Sequence, residues 1–164
     1  MSVGAGRVNS YDSREKYLAL LEQTPRRIAV ASSNLDEVSL RFSAGSREWS
    51  AMQILSHLRA CEELWSFSIY AMLVYEHPVL PLLDERIWAK TARYDSLTFR
   101  DLLQTFSLKR GELLGVLRPL PLERWLRAAD IGGRAHTVFS QVRRMALHEA
   151  EHCEQMHTFL GKLR

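Results

Sequence analysis

Cysteine is scarce in this chain of 164 residues: there are two, Cys61 and Cys153. Two thiols do not frame a disulfide-stapled fold, and both lie inside helical patterns, where free cysteine behaves as a small buried hydrophobe. No apolar run approaches the roughly 20 residues that cross a bilayer, so no membrane-spanning segment is expected. The first ten residues, MSVGAGRVNS, lack the apolar middle of a secretory signal. They read as a flexible tail (1–10) ahead of one domain (11–164), with a cytoplasmic location as the expectation. Long Lys/Arg runs are missing too. The net charge of +3 comes from scattered arginines, and the doublets Arg26-Arg27 and Arg143-Arg144 have no aromatic-interleaved motif around them. Nucleic acid therefore gains no support as a partner. Finally, no stretch alternates apolar and polar residues convincingly with period two, which argues against strands.

What remains is helical. Hydrophobic residues make up 46% and charged residues 25%, the composition of an ordinary globular domain large enough to bury a core. Tyr17, Leu18, Leu20 and Leu21 start a first helix, followed by Ile28, Ala31, Leu35 and Val38 at three-to-four spacing. It should cover residues 12–37 and kink or restart at Thr24-Pro25, where a cap precedes a proline. From Trp49 to Tyr75 there is no Pro or Gly, and the apolar surface is broad, so this is a long buried second helix. Ser96 or Thr98 caps a third helix, whose Phe99, Leu102, Leu103, Phe106, Leu113, Leu114 and Leu117 keep a 3-4 rhythm until Pro119. After Trp125 and the turn at Gly132-Gly133, Thr137 caps a fourth helix that runs to Leu160. The fold class is all-α: a four-helix bundle with a long crossover connection between helices 2 and 3. That connection, residues 76–96, is too long to be wholly unstructured.

Metal chemistry is suggested by His148 and His152, one turn apart on the last helix at about 100° per residue, with Gln155 nearly in line. Two stacked imidazoles can reach one ion but cannot complete a site. His57 is the histidine inside another long helix, with Gln53, Cys61 and Leu64 on its face, and packing of the two helices would bring it opposite the pair. His148-Glu149-Ala150-Glu151-His152 also matches the H-E-x-x-H of zinc peptidases, where Glu is the base. Only twelve residues follow His152, so a distant Glu ligand is impossible. Gln155 and Thr158 stand where the longer pattern needs Gly and His. No strand is expected that would hold an extended peptide, and Glu149 points about 100° away from His148. Glu149 thus reads as solvated surface or as a partner of a ligand, ahead of a catalytic base.

Trp49-Ser50-Ala51-Met52-Gln53-Ile54-Leu55-Ser56-His57-Leu58 resembles the start of the second helix in the DinB/YfiT-like superfamily. His148-x-x-x-His152-x-x-Gln155 resembles its closing signature. Thr24-Pro25, Arg86-Ile87-Trp88, and Trp125 followed by Gly132-Gly133 fit the same layout, so the resemblance spans residues 17–160. It implies a four-helix bundle, often a homodimer, with His57, His148 and His152 as ligands of a divalent metal, zinc or nickel first and iron next. Relatives include transferases that use a low-molecular-weight thiol (bacillithiol, mycothiol or glutathione-type), thiol-dependent isomerases and metal-dependent hydrolases.

The function expected is therefore a metal-dependent thiol S-transferase acting on a small-molecule electrophile. The alternatives are a hydrolase, or a bundle that binds metal or ligand without turnover. Three neutral imidazoles leave the ion open positions for a thiol, held as thiolate, or for water. Gln155 either orients a ligand or caps a hydrogen-bond network, and with Glu149 is the further catalytic candidate. Cys61, one turn from His57, and Trp88 and His136, in the connections, are candidates for lining the pocket, with packing in the core as the competing role of each.

Overall fold

The computed structural model describes the backbone of residues 5–163 and the side chains of residues 13–163. Four long helices build the bundle: α1 (Ala5–Ser32), α3 (Ala51–Val74), α5 (Phe99–Leu117) and α6 (Val138–Gly161). Between them lie two short helices, α2 (Glu37–Arg41) and α4 (Glu85–Thr91), and three strands, β1 (Val79–Leu80), β2 (Ala128–Ile131) and β3 (Arg134–Thr137). The helices pack in the ring α1–α6–α3–α5, closing back on α1. Chain neighbours α1 and α3 therefore face each other across the bundle, as do α5 and α6. The long connection between α3 and α5 carries β1 and α4 along the side of the bundle, α4 packing on α3. Among the described residues, no helix is long and apolar enough to cross a membrane.

Two of the expected caps form, and α3 adds one of its own, while Thr24 lies inside α1 and caps nothing. Ser50 and Gln53 form a reciprocal capping box at the start of α3, Thr98 rather than Ser96 caps α5, and Thr137 with Ser140 closes the start of α6. The first helix differs from expectation. It starts at Ala5, ahead of the anticipated residue 12, so six residues of the expected tail are helical and the remaining four (1–4) lie outside the described residues. It also runs through Pro25 to Ser32 without a restart, and a separate α2 takes up part of the remainder. Pro25 has no N–H for the carbonyl of Leu21, one turn back. That carbonyl accepts instead from Arg110 Nη1 at 2.7 Å, and the Thr24 hydroxyl donates to Leu20 O at 3.1 Å. The helix survives its proline because another helix supplies the missing donor.

Arg110 belongs to a charged layer inside the bundle. Its guanidinium bonds Glu149 Oε2 at 2.8 Å and Oε1 at 2.5 Å, and also bonds Glu62. All three side chains are at most 2% exposed. Burial opposes the charge on Arg110, but the two carboxylates outweigh it and raise its pKa; burial likewise raises that of Glu62. The layer separates two apolar clusters, one around Leu21, Trp65, Leu113, Trp125 and Val142, the other around Ile28, Leu55, Leu58, Phe106 and Met156.

The all-α, four-helix-bundle class holds, and what the structure corrects is the expectation that no strand forms. β1 pairs parallel with β2, and β2 antiparallel with β3, through the two-residue turn Gly132-Gly133. Both glycines have positive φ, and a Cβ on Gly132 would stand 2.7 Å from Leu82 Cβ. Segments of two and four residues are too short to display a period of two. The lack of strands consequently falls away as an argument against peptide binding, while the argument from Gln155 and Thr158 stands.

Candidate metal centre

The α3–α6 packing brings His57, His148 and His152 together. His57 Nε2 lies 3.1 Å from His148 Nε2, and His148 Nε2 lies 3.2 Å from His152 Nε2. The rings of His57 and His152 are 5.1 Å apart, centroid to centroid. On α6 the two histidines share a face through four-residue spacing. On α3 the Ser50–Gln53 box fixes the start of the helix, two turns before His57.

The His57–His148 and His148–His152 separations are of the size that two ligands of one ion keep. With metal–nitrogen bonds of about 2.0–2.1 Å, ligand nitrogens stand roughly 2.9 Å apart at right angles and roughly 3.4 Å apart at tetrahedral angles. The two separations here fall between. The imidazoles are also in the ligating state: burial lowers the pKa of His57 to about 4 and that of His148 to about 3, and the neighbouring histidines lower them further. Both are neutral at pH 7. His152 Nδ1 donates to Gln155 Oε1 at 2.8 Å, which puts the proton on Nδ1 and leaves a lone pair on Nε2 facing His148. His148 Nδ1 is buried without a hydrogen-bond partner, beside the Trp65 ring.

Cys61 lies under this cluster, its Sγ 3.5 Å from His57 Nε2. His57, Cys61 and His148 together offer ligand atoms within 4.8 Å of one another. The cluster thus has two overlapping donor sets, one completed by Cys61 and one by His152. The Cys61 thiol is fully buried, and burial pushes it far above its ordinary range, so it stays protonated. A bound ion would itself favour the thiolate, so both sets remain chemically open.

The other candidates separate. Glu149 is neither solvated nor near the imidazole nitrogens: it is completely buried, facing the opposite way into the salt bridge with Arg110. That removes the surface reading and leaves it unable to serve as a base at the histidines. Gln155 acts on His152. Trp88 stays on α4, 37% exposed, with its Nε1 donating to the Tyr94 hydroxyl at 3.4 Å. His136 pairs with Ala129 in the hairpin, its pKa lowered by burial and then by Arg144 and Arg134.

Sequence reasoning missed the walls. Trp49 stacks 6.0 Å from His152 and meets His57 edge-on at 5.2 Å, and Trp65 meets His148 edge-on at 5.0 Å. The Trp65 Nε1–H donates to Glu85 at 3.3 Å. Trp49, one residue ahead of the Ser50 cap, was a visible signal; nothing in the sequence marks Glu85.

The comparisons agree with this architecture. No curated protein matches the chain in sequence. The solved structure of YfiT from Bacillus subtilis, described as a probable metal-dependent hydrolase with an unusual four-helix bundle topology, superposes with a TM-score of 0.82 at 16% identity. The match covers 92% of this chain and 87% of that one, a likeness of fold. The family profile described as DinB superfamily matches residues 20–156. With most of its length inside that profile, the chain belongs to the DinB superfamily.

Proposed function

We propose that this protein is a metal-dependent enzyme acting on a small electrophile, and that it transfers a low-molecular-weight thiol to it. His57, His148 and His152 are the proposed ligands, with zinc or nickel as the first candidates and iron next. The observation that carries the reading is the approach of His148 Nε2 to His57 Nε2 at 3.1 Å and to His152 Nε2 at 3.2 Å. A divalent ion bound there supplies Lewis acidity and favours the deprotonated form of a thiol or a water.

The chain's own residues do the rest. Gln155 holds the His152 proton on Nδ1. Trp49 and Trp65 shield the imidazoles from water on two sides. Engaged with Arg110, Glu149 cannot take a proton at the imidazoles. Neither nucleophile would depend on it, because a divalent ion would bring a bound thiol or a bound water to ionise near neutral pH; the thiol, the stronger nucleophile, is the one proposed. Hydrolysis is the second reading, supported by the fold shared with YfiT, itself described as a probable metal-dependent hydrolase.

Purified protein loaded with zinc or nickel, offered electrophiles together with bacillithiol, mycothiol or glutathione, should form the conjugate only when metal is present. Ester or amide cleavage without thiol would replace transfer by hydrolysis. Inactivity in both panels, or a protein that binds no stoichiometric divalent ion, would overturn the proposal.

A further inference from the structure

Two guanidiniums stand over the two tryptophans that flank the histidines. Arg86 Cζ lies 5.3 Å from the centre of the Trp49 ring, and Arg144 Cζ lies 4.4 Å from that of Trp65. Trp49 contacts His57 and His152, and Trp65 contacts His148, so each cation is one aromatic ring away from an imidazole. Arg144, His148 and His152 follow at four-residue intervals on one face of α6. Arg86 comes from another element, in the first turn of α4.

Both arginines keep donors to spare. Among the described residues no carboxylate lies within ion-pair distance of Arg86, whose contact is the Trp49 ring. The acids of its own turn are engaged elsewhere: Asp84 Oδ1 accepts from the backbone N–H groups of Arg86 and Ile87, and Glu85 Oε1 accepts from Trp65 Nε1. Arg144 comes no closer than 4.0 Å to that same Glu85 oxygen, and its side chain is 44% exposed. A guanidinium held over an indole by cation–π attraction keeps N–H donors that can grip an oxyanion in a bidentate pair. The ring contacts also restrain both side chains, which lowers the entropy lost on binding.

We infer that the molecule taken up at the histidine cluster carries an oxyanion, a carboxylate or a phosphate, and that Arg86 and Arg144, each set over a tryptophan beside the cluster, recognise it. The inference rests on the histidine cluster being the substrate site, and is independent of whether transfer or hydrolysis takes place there. An anionic group held by these arginines would anchor the molecule beside the imidazoles. An uncharged analogue would lack that anchor.

The test uses the full-length chain stripped of metal, so that it reads binding without turnover. Succinate, methyl phosphate and uncharged succinamide are titrated, followed by tryptophan emission and by calorimetry. At least one of the two anions should bind saturably, and which one does names the oxyanion; succinamide should not bind. Arg86→Gln and Arg144→Gln should each weaken the anion about ten-fold, and the pair should abolish binding. Both residues are exposed, so circular dichroism should show the variants folded. Absence of anion binding to wild type, equal binding of succinamide, or unchanged binding in the double variant would each overturn the inference. Because no metal is present, a failed metal site leaves these results standing. An active metal-loaded enzyme whose anion binding ignores both arginines would sink this inference alone.

Discussion

Arg110 and Leu21 are joined by a 2.7 Å hydrogen bond from guanidinium Nη1 to the backbone carbonyl that Pro25 deprives of its helical donor. The same guanidinium satisfies Glu62 and Glu149, so one side chain on α5 answers to α1, α3 and α6 at once. This links the fold to the site, because Glu62 follows Cys61 and Glu149 follows His148 in the chain. A shift in the charged layer is a shift in the backbone that carries the imidazoles.

Arg110→Met should therefore destabilise the protein by about 3–5 kcal/mol, since it strands two buried carboxylates as well as the Leu21 carbonyl. Urea or guanidinium unfolding measures it. Pro25→Ala restores the helical donor to Leu21, so the double variant should lose less than the sum of the two single losses. A cost below about 1 kcal/mol for Arg110→Met would mean that the layer contributes little.

The choice between the two donor sets is decided by metal content. Alanine at His57, His148 or His152 should each abolish stoichiometric binding, while Cys61→Ser should keep it. Elemental analysis of the purified variants gives the answer, and a Cys61→Ser protein devoid of metal would move the site onto the thiol.

Gln155 acts through His152. Gln155→Leu removes the acceptor at 2.8 Å and frees the ring to turn or change tautomer, so metal affinity should fall about 10–100-fold with little change in stability. Gln155→Glu, which keeps an acceptor, should restore most of it. Chelator competition measures both, and equal affinity in all three proteins would reduce the bond to a surface contact.

Acid should destabilise the metal-free protein through its imidazoles. The folded-state pKa values of His57 (about 4) and His148 (about 3) lie below the unfolded value near 6.5, so below pH 6.5 the unfolded chain binds more protons. Their contribution is complete above pH 6.5 and is lost as the pH falls through the window down to about 4 and 3. Glu62, whose pKa burial raises, works in the opposite direction at and above its ordinary carboxylate range. Denaturant midpoints between pH 7 and 4, compared with those of His148→Phe, isolate the histidine share. Midpoints with the same pH dependence in both proteins would exclude it.

Much of the bundle was legible because its signals are local. The apolar spacing of α3, α5 and α6 and the caps at Thr98 and Thr137 are readable within a turn or two. The histidine pair is a matter of one helix's geometry, and its third member stood out as a histidine in an apolar helix. Arg110 was half legible: it occupies the slot between Phe106 and Leu113 that the periodicity of α5 assigns to the core, a place where a charge requires a buried partner.

The sequence by itself determined four long helices, where three of them begin, and which histidines to look for beside one another. Only the tertiary structure decided that α1 continues through Pro25, that Glu149 faces Arg110 instead of the imidazoles, and that Arg86 and Arg144 lie on the tryptophans beside the cluster. The reason is distance along the chain. Helical periodicity and capping act over a few residues, whereas Arg110 meets Glu149 across 39 residues and Glu62 across 48. Which charge finds which partner over such separations is set by how the helices pack, and no local pattern records it.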